Sequence, residues 1–172
     1  MIASRLAPLI VLGLVAGCAG ASPPPAAAPA GIEEVLDGWH AAASDADLAG
    51  YFDPFAADAV FLGTDPTERW TVQEFRAFVE PYFARGQGWT YVPRDRHVAV
   101  SSDGRTAWVD ERLDNEKYGE LRGTGVLVVE GDAWKIAHYS MTFPVPNDVT
   151  KALVDLIRDH ASAGHDADAG AD

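Results

Sequence analysis

The feature that most restricts the possible folds is the hydrophobic pattern of residues 89–143. Apolar and polar side chains alternate there in four segments, which is the spacing of β-strands with one buried face. Short turn sequences such as Gly131-Asp132 separate the segments, and short connections favour antiparallel pairing of neighbouring strands. We therefore predict an antiparallel meander with strands at 89–101, 105–113, 119–130 and 133–143.

Two segments before these strands have the period of about 3.6 residues that is typical of amphipathic helices. The first runs from Ile32 to Ala49 and ends before a break at Gly50. A short strand at 59–62 follows, and the second helix begins at Thr71, where Thr71 and Glu74 form a capping box. Helices followed by a run of strands predict an α+β fold.

The first 31 residues have the pattern of a lipoprotein precursor. Residues 1–17 combine the positive charge of Arg5 with an apolar run that is shorter than the roughly 20 residues of a membrane-spanning helix, which is typical of a signal peptide. Residues 15–18 resemble a bacterial lipobox, so we predict that Cys18 is lipidated and that the Pro/Ala-rich residues 18–31 form a tether. An ordinary signal peptide with an incidental cysteine is the alternative interpretation.

Lipidation of Cys18 would place the domain at a membrane, in the periplasm or at the cell exterior. Ala19 follows the cysteine instead of aspartate, which by resemblance predicts the outer membrane if the source has one. The rest of the chain predicts one domain at 32–146, a C-terminal helix at 147–160 and a disordered tail at 161–172.

The charge and the missing motifs exclude several classes of function. The chain has a formal net charge of −13, which disfavours binding to nucleic acid. The sequence contains no HExxH, Cys/His cluster, phosphate-binding glycine loop or GxSxG motif. We therefore predict no metal and no cofactor.

Two segments resemble a known family. They are Val60-Phe61-Leu62-Gly63-Thr64-Asp65 with Glu68-Arg69-Trp70, and the last strand Trp134-Lys135-Ile136-Ala137-His138-Tyr139-Ser140. With the element order of 32–146, they resemble the NTF2-like or SnoaL-like superfamily, in particular its DUF4440-type branch. The resemblance implies an NTF2-like cone, in which helices pack on a curved antiparallel sheet that encloses a pocket. It implies no single reaction, because the superfamily contains isomerases, cyclases and dehydratases as well as non-catalytic binding modules.

Pairing across the Gly131-Asp132 turn predicts which side chains of the last strand face the pocket. It places His138 opposite Gly125 and on the same face as Trp134 and Ser140. His138 would then act as a general acid–base or orient a ligand, unless it is a core histidine bonded to a neighbour. Members of the DUF4440-type branch often carry a second histidine where this chain has Ser140, which weakens the transfer of a two-histidine site.

Two further residues are catalytic candidates. His40 lies at the edge of the apolar stripe of the first helix, where a boundary histidine is the alternative. Asp65 lies in a loop where it would serve as a base, or instead cap a turn and pair with Arg69. Charges on both faces of the segment 105–113 predict a partly exposed edge strand.

Aromatic side chains are abundant for a domain of this size, and aromatic pockets suit flat apolar ligands. Core packing is the alternative explanation for most of them. The function we predict is binding of a small, partly apolar ligand in an aromatic cone. The alternatives are an isomerase, cyclase or lyase that uses His138 with Asp65 or His40, and a homodimeric interaction module with a vestigial pocket. The predicted ligand-binding residues are Trp39, Trp70, Phe78, Tyr82, Trp134, His138 and Ser140.

Overall fold

The computed structural model describes residues 31–168, with side chains described for 31–162. The predicted signal peptide, Cys18, nearly all of the tether and residues 169–172 lie outside the described residues. The helices are α1 (Ile32–Ser44), α2 (Leu48–Phe52), α3 (Val72–Phe83) and α4 (Thr150–Asp168). The strands are β1 (Phe55–Leu62), β2 (Arg69–Thr71), β3 (Val92–Val100), β4 (Thr106–Asn115), β5 (Gly119–Glu130) and β6 (Ala133–Thr142).

The strands form one mixed sheet in the order β2-β1-β6-β5-β4-β3. The four strands from β3 to β6 form the predicted antiparallel meander, and β1 pairs with β6 in parallel. The short strand β2, which the sequence pattern did not predict, pairs antiparallel with β1. Helices α1, α2 and α3 pack on the sheet, so the predicted α+β cone is confirmed.

The first helix ends earlier than predicted. α1 stops at Ser44, and Ala46 then adopts a positive φ of 56°. Asp47 caps α2, because its carboxylate accepts the backbone N–H groups of Ala49 and Gly50. Gly50, the predicted break, therefore lies inside α2. The apolar pattern looked continuous because α1 and α2 both pack against the same core.

The predicted start of α3 is confirmed. The Thr71 hydroxyl accepts the backbone N–H of Glu74 at 3.3 Å, and the Glu74 carboxylate accepts the backbone N–H of Thr71 at 2.9 Å. The rings of Trp70 and Phe75 stack across this start, with centroids 5.3 Å apart. The cap and the ring contact together fix the direction in which α3 leaves the sheet.

A β-bulge in β6 reverses the facing that the sequence predicts for the end of this strand. Leu127 pairs with Ile136 as predicted, but the register shifts beyond this pair, and Gly125 lies opposite Tyr139 instead of His138. Ala137 is the extra residue. Since a bulge moves every later side chain to the opposite face, Tyr139 points into the core and His138 points away from it.

The chain after the sheet also differs from the prediction. α4 continues to Asp168, whereas the sequence predicts a helix end at His160 and disorder from Ala161. Alanine has the highest helix propensity, which favours continuation through this Ala-rich segment. Leu156 and Ile157 of α4 are exposed. Within residues 31–168, no helix has both the length and the apolar character needed to cross a bilayer.

Candidate functional site

An open cavity of about 310 Å³ lies between α3 and one end of the sheet. Most of the residues around it are aromatic. The aromatic residues are Tyr51, Phe61, Trp70, Phe75, Phe78, Tyr82, Trp89, Tyr91, Tyr118 and Phe143, and the others are Gly63, Thr64, Glu68, Leu121 and Met141.

The sheet topology brings the aromatic residues of the strands to one edge. Because β1 is parallel to β6, both strands end at this edge, with Phe61 near the end of β1 and Phe143 just after β6. The antiparallel meander adds the start of β3, next to Tyr91, and the β4–β5 turn, which holds Tyr118. Residues distant in sequence therefore share one wall.

Ring contacts hold this wall in place. Phe61 stacks on Phe75 with centroids 4.0 Å apart, and Trp70 stacks on Phe78 at 4.9 Å. Phe78 and Tyr82 are about two-fifths exposed, at 42% and 39%, and Tyr118 is half exposed. Such a group of exposed aromatic rings beside a concavity is typical of a binding surface.

Glu68 is the acidic group of the cavity. Its carboxylate accepts the backbone N–H of Asp65 at 3.1 Å. A side chain at Gly63 would overlap the Glu68 carboxylate, so glycine provides the room for it. Burial, with the neighbouring Tyr118 and Glu68, raises the pKa of Tyr91, so the Tyr91 hydroxyl keeps its proton at neutral pH and is available as a donor.

A second polar cluster lies outside the cavity lining and is centred on Glu111 of β4, which is 1% exposed. One oxygen of its carboxylate is bonded to His40 Nε2 at 2.9 Å and accepts the Tyr139 hydroxyl at 2.6 Å. The other oxygen accepts Nε of Arg96 at 2.7 Å. A side chain at Gly123 would overlap the Tyr139 hydroxyl, so glycine is required there. The cluster joins α1 to β3, β4 and β6.

Arg96 extends this cluster to the surface of α1. Its Nη1 atom donates to Glu33 at 2.8 Å and to Asp37 at 2.7 Å. Burial acts to lower the pKa of Arg96, but the bonds to Glu33, Glu111 and Asp37 outweigh it and raise this pKa above the usual value. Arg96 is therefore a permanent positive charge beside Glu111.

The hydrogen bonds that the Glu111 carboxylate accepts also favour its ionised form. Burial acts to raise the pKa of the Glu111 carboxyl, but the hydrogen bonds and charge of His40, with the bonds from Tyr139 and Arg96, lower it below the usual value. Burial and the Glu111 carboxylate raise the pKa of Tyr139, so its hydroxyl stays protonated and donates. None of these side chains lines the cavity. Because their hydrogen bonds link α1 to β3, β4 and β6, the cluster stabilises the fold.

Acid is expected to weaken the fold through Glu111. Because the pKa of Glu111 is lowered on folding, its contribution is complete above the pKa of an unfolded glutamate, about 4.3, and is lost as pH falls through the folded value. We expect the free energy of unfolding below about pH 4.3 to fall more steeply for the natural chain than for Glu111→Gln. Urea titrations at several pH values measure this difference. Asp110→Asn should keep the natural slope, and equal slopes in all three proteins would contradict the prediction.

Three of the predicted ligand-binding residues line the cavity: Trp70, Phe78 and Tyr82. Trp39 and Trp134 are buried in the core and do not line it. The two others, His138 and Ser140, lie on the outer face of the sheet, because the bulge at Ala137 turns them away. Their predicted place in the pocket is wrong.

The catalytic candidates do not converge on one point. His40 is buried against Glu111. Asp65 is exposed and accepts the backbone N–H and the hydroxyl of Thr67, which lower the pKa of its carboxyl. His138 lies on the outer face. Among the described side chains, no group of three or more His, Cys, Asp or Glu residues could hold a metal ion.

Sequence reasoning missed several residues of the cavity. The residue pattern predicts no role for Tyr91, Tyr118 or Phe143, although each lies at a strand end or turn that the meander places at the same edge. Glu68 belongs to a segment that resembles the family, and the residue pattern predicts no role for it. A signal was available in Gly63, since a glycine after a predicted strand marks a close approach of another group.

Comparison with known proteins identifies the family. The sequence profile described as the SnoaL-like domain matches residues 32–146 of this chain. The chain belongs to the SnoaL-like family. No curated protein matches it significantly, and its assignment to the DUF4440-type branch stays a prediction.

Solved structures share the fold of this SnoaL-like domain. A domain of unknown function with a cystatin-like fold from Nostoc punctiforme has a TM-score of 0.61 and 16% identity, over 81% of this chain and 93% of that one. An NTF2-like protein of unknown function from Pseudomonas putida has a TM-score of 0.58 and 19% identity, over 69% and 87%. A DUF3225-family protein of unknown function from Pectobacterium atrosepticum has a TM-score of 0.56 and 17% identity, over 67% and 90%. At these identities the likeness concerns the fold alone.

Proposed function

We propose that this SnoaL-like domain binds a small, partly apolar molecule in its aromatic cavity, and that Cys18 anchors it to a membrane. The observation that carries the first part is the cavity itself. Its volume of about 310 Å³ falls at the lower end of the range of small-molecule sites, roughly 300–1,000 Å³. Apolar walls with a few polar groups are the usual composition of such sites.

Binding without catalysis agrees best with the placement of the titratable groups. General acid–base catalysis requires a group within hydrogen-bond reach of the bound substrate. Neither His40, Asp65 nor His138 lines the cavity, and His40 already has a partner in Glu111. The isomerase, cyclase or lyase alternative would therefore need a different base from the ones that the sequence suggested. A homodimeric interaction module remains a separate prediction.

Truncation of the cavity mouth tests the binding proposal. Tyr82→Ala and Phe78→Ala each remove one ring from the wall, and we expect each to weaken binding of the uncharged dye Nile red about tenfold. Fluorescence titration gives the dissociation constant, and a melting curve shows that the fold is retained. The matched control is Trp108→Ala, since Trp108 is exposed outside the cavity. Equal losses in the control, or no dye binding by the natural chain, would refute the proposal.

Anchoring is supported by the sequence of residues 1–31. A signal-like apolar run is followed by a cysteine after Val15-Ala16-Gly17 and then by a Pro/Ala-rich segment, an order that is typical of a lipoprotein precursor. A Pro-rich tether is extended, so it would hold the domain and its cavity away from the lipid surface.

Replacing Cys18 with serine tests the anchor. We expect Cys18→Ser to abolish labelling by a radioactive or clickable fatty acid and to leave the precursor uncleaved, because serine offers no thiol for lipidation. Labelling and membrane fractionation of the expressed full chain measure both effects. Ala16→Ser, which keeps the cysteine and a small residue before it, is the control. A Cys18→Ser protein that matures and fractionates like the natural chain would disprove anchoring.

A further inference from the structure

We infer that the ligand of the aromatic cavity is an organic cation, with an ammonium group attached to an apolar body. This inference rests on the proposed function and specifies the chemistry of the same site. Three observations carry it: a carboxylate without a counter-charge, walls made of aromatic faces, and the lack of basic residues in the lining.

The charge balance of the cavity is negative. Glu68 is the single Asp or Glu of the lining, which contains no Lys, Arg or His. Among residues 31–162, the Glu68 carboxylate forms no ion pair and accepts one hydrogen bond, from the backbone N–H of Asp65. A carboxylate in a partly closed apolar space is stabilised by a cation and destabilised by a second anion. The cavity is therefore unsuited to carboxylate, sulfate or phosphate ligands.

The aromatic walls add to this preference. The face of an aromatic ring is electronegative and attracts a cation that lies within about 6 Å of the ring centroid. Two rings of the lining already have such contacts with the protein's own cations. Arg85 lies 5.2 Å from the Tyr82 centroid, and Lys117 lies 4.8 Å from the Tyr118 centroid. Arg85 and Lys117 do not line the cavity, and among the described side chains neither forms an ion pair with Glu68.

The surroundings of Glu68 agree with the same chemistry. Tyr91 keeps its proton at neutral pH, so it offers a neutral hydroxyl in the same lining as the carboxylate. The whole chain carries a formal net charge of −13, and such a field raises the local concentration of cations at the surface. A cationic head beside Glu68, with an apolar body among the rings, satisfies both parts of the cavity.

A pair of probes with the same shape tests the inference. Benzyltrimethylammonium and neopentylbenzene differ by a charged nitrogen in place of a carbon, and benzenesulfonate supplies an anion. We expect the cation to bind about tenfold more tightly than the neutral analogue, and the anion not to bind. Titration monitored by tryptophan fluorescence at low salt gives the three affinities. Added salt should weaken the binding of the cation alone.

Variants of the full chain locate the preference. Glu68→Gln keeps the size of the side chain and removes its charge, so it should lower the affinity for the cation about tenfold and leave neopentylbenzene binding unchanged. Glu116→Gln is the matched control, since Glu116 lies in the neighbouring depression and outside the cavity lining. It should leave both affinities as they are.

The outcomes separate this inference from the proposed function. If neopentylbenzene binds as tightly as the cation, or Glu116→Gln has the same effect as Glu68→Gln, the cavity binds ligands but the cation assignment is overturned. Preferred binding of benzenesulfonate overturns it as well. If neither the cation nor the neutral analogue binds, and Nile red also fails to bind, the proposed function itself is wrong.

Discussion

Replacing Glu111 with alanine is expected to lower the free energy of unfolding by roughly 3–5 kcal/mol, the usual cost of breaking a buried ion pair from one side. The variant leaves the Arg96 guanidinium without its buried counter-charge. It also removes the acceptor for His40 and for the Tyr139 hydroxyl, which are then unsatisfied in the core. Equilibrium denaturation in urea measures the change. The dependence of the free energy of unfolding on urea concentration, the m value, should be the same for both proteins.

Asp110→Ala is the matched control for this experiment. Asp110 is the preceding residue on β4 and lies on the outer face of the sheet, where it is exposed. Its removal should change stability by no more than about 0.5 kcal/mol. If Glu111→Ala were as mild as Asp110→Ala, the carboxylate would not hold α1 on the sheet, and the role assigned to this cluster would be wrong.

The features that sequence predicted correctly depend on neighbouring residues. The capping box of Thr71 and Glu74 needs side chains three positions apart, and the meander needs an alternating pattern interrupted by short turns. Trp70, Phe78 and Tyr82 line the cavity. Phe78 and Tyr82 belong to the aromatic stripe of α3, and Trp70 lies directly before the residue that caps the same helix. Each of these signals lies within one element or between two consecutive ones.

The features that sequence missed depend on contacts between distant segments. The charges of β4 suggested an exposed edge strand, yet β4 lies between β3 and β5 and Glu111 is buried. Its partners His40 and Tyr139 are 71 and 28 residues away along the chain. A hydrophobic pattern records only that Glu111 is charged, because it contains no information about which distant groups compensate the charge.

The bulge at Ala137 was missed for a different reason. The sequence around Ala137 allows either His138 or Tyr139 to point into the core. A single extra residue in the strand decides which of the two does so. The glycines of β5 provide the physical explanation of the observed choice. Gly123 and Gly125 leave space over β5, and the ring of Tyr139 fills it, whereas an imidazole would fill less of this space.

Two adjacent substitutions therefore test the register of β6 directly. Tyr139→Ala should lower the free energy of unfolding by roughly 3–5 kcal/mol, as expected for a large aromatic residue that is removed from a core. Tyr139 is fully buried, and its ring packs against Trp39 with centroids 4.6 Å apart. Its loss also takes a donor from Glu111. His138→Ala should cost less than about 1 kcal/mol, because the His138 side chain lies on the outer face.

If β6 had no bulge, the two variants would have the opposite effects on stability. His138 would then pack in the cone, so His138→Ala would be the damaging change, while Tyr139→Ala would remove an outer side chain at little cost. Urea denaturation of the two variants, with Nile red titration of each folded protein, separates these registers. The observed register predicts that His138→Ala binds the dye like the natural chain. A large loss of stability or of dye binding in His138→Ala, with a mild effect in Tyr139→Ala, would show that β6 has no bulge.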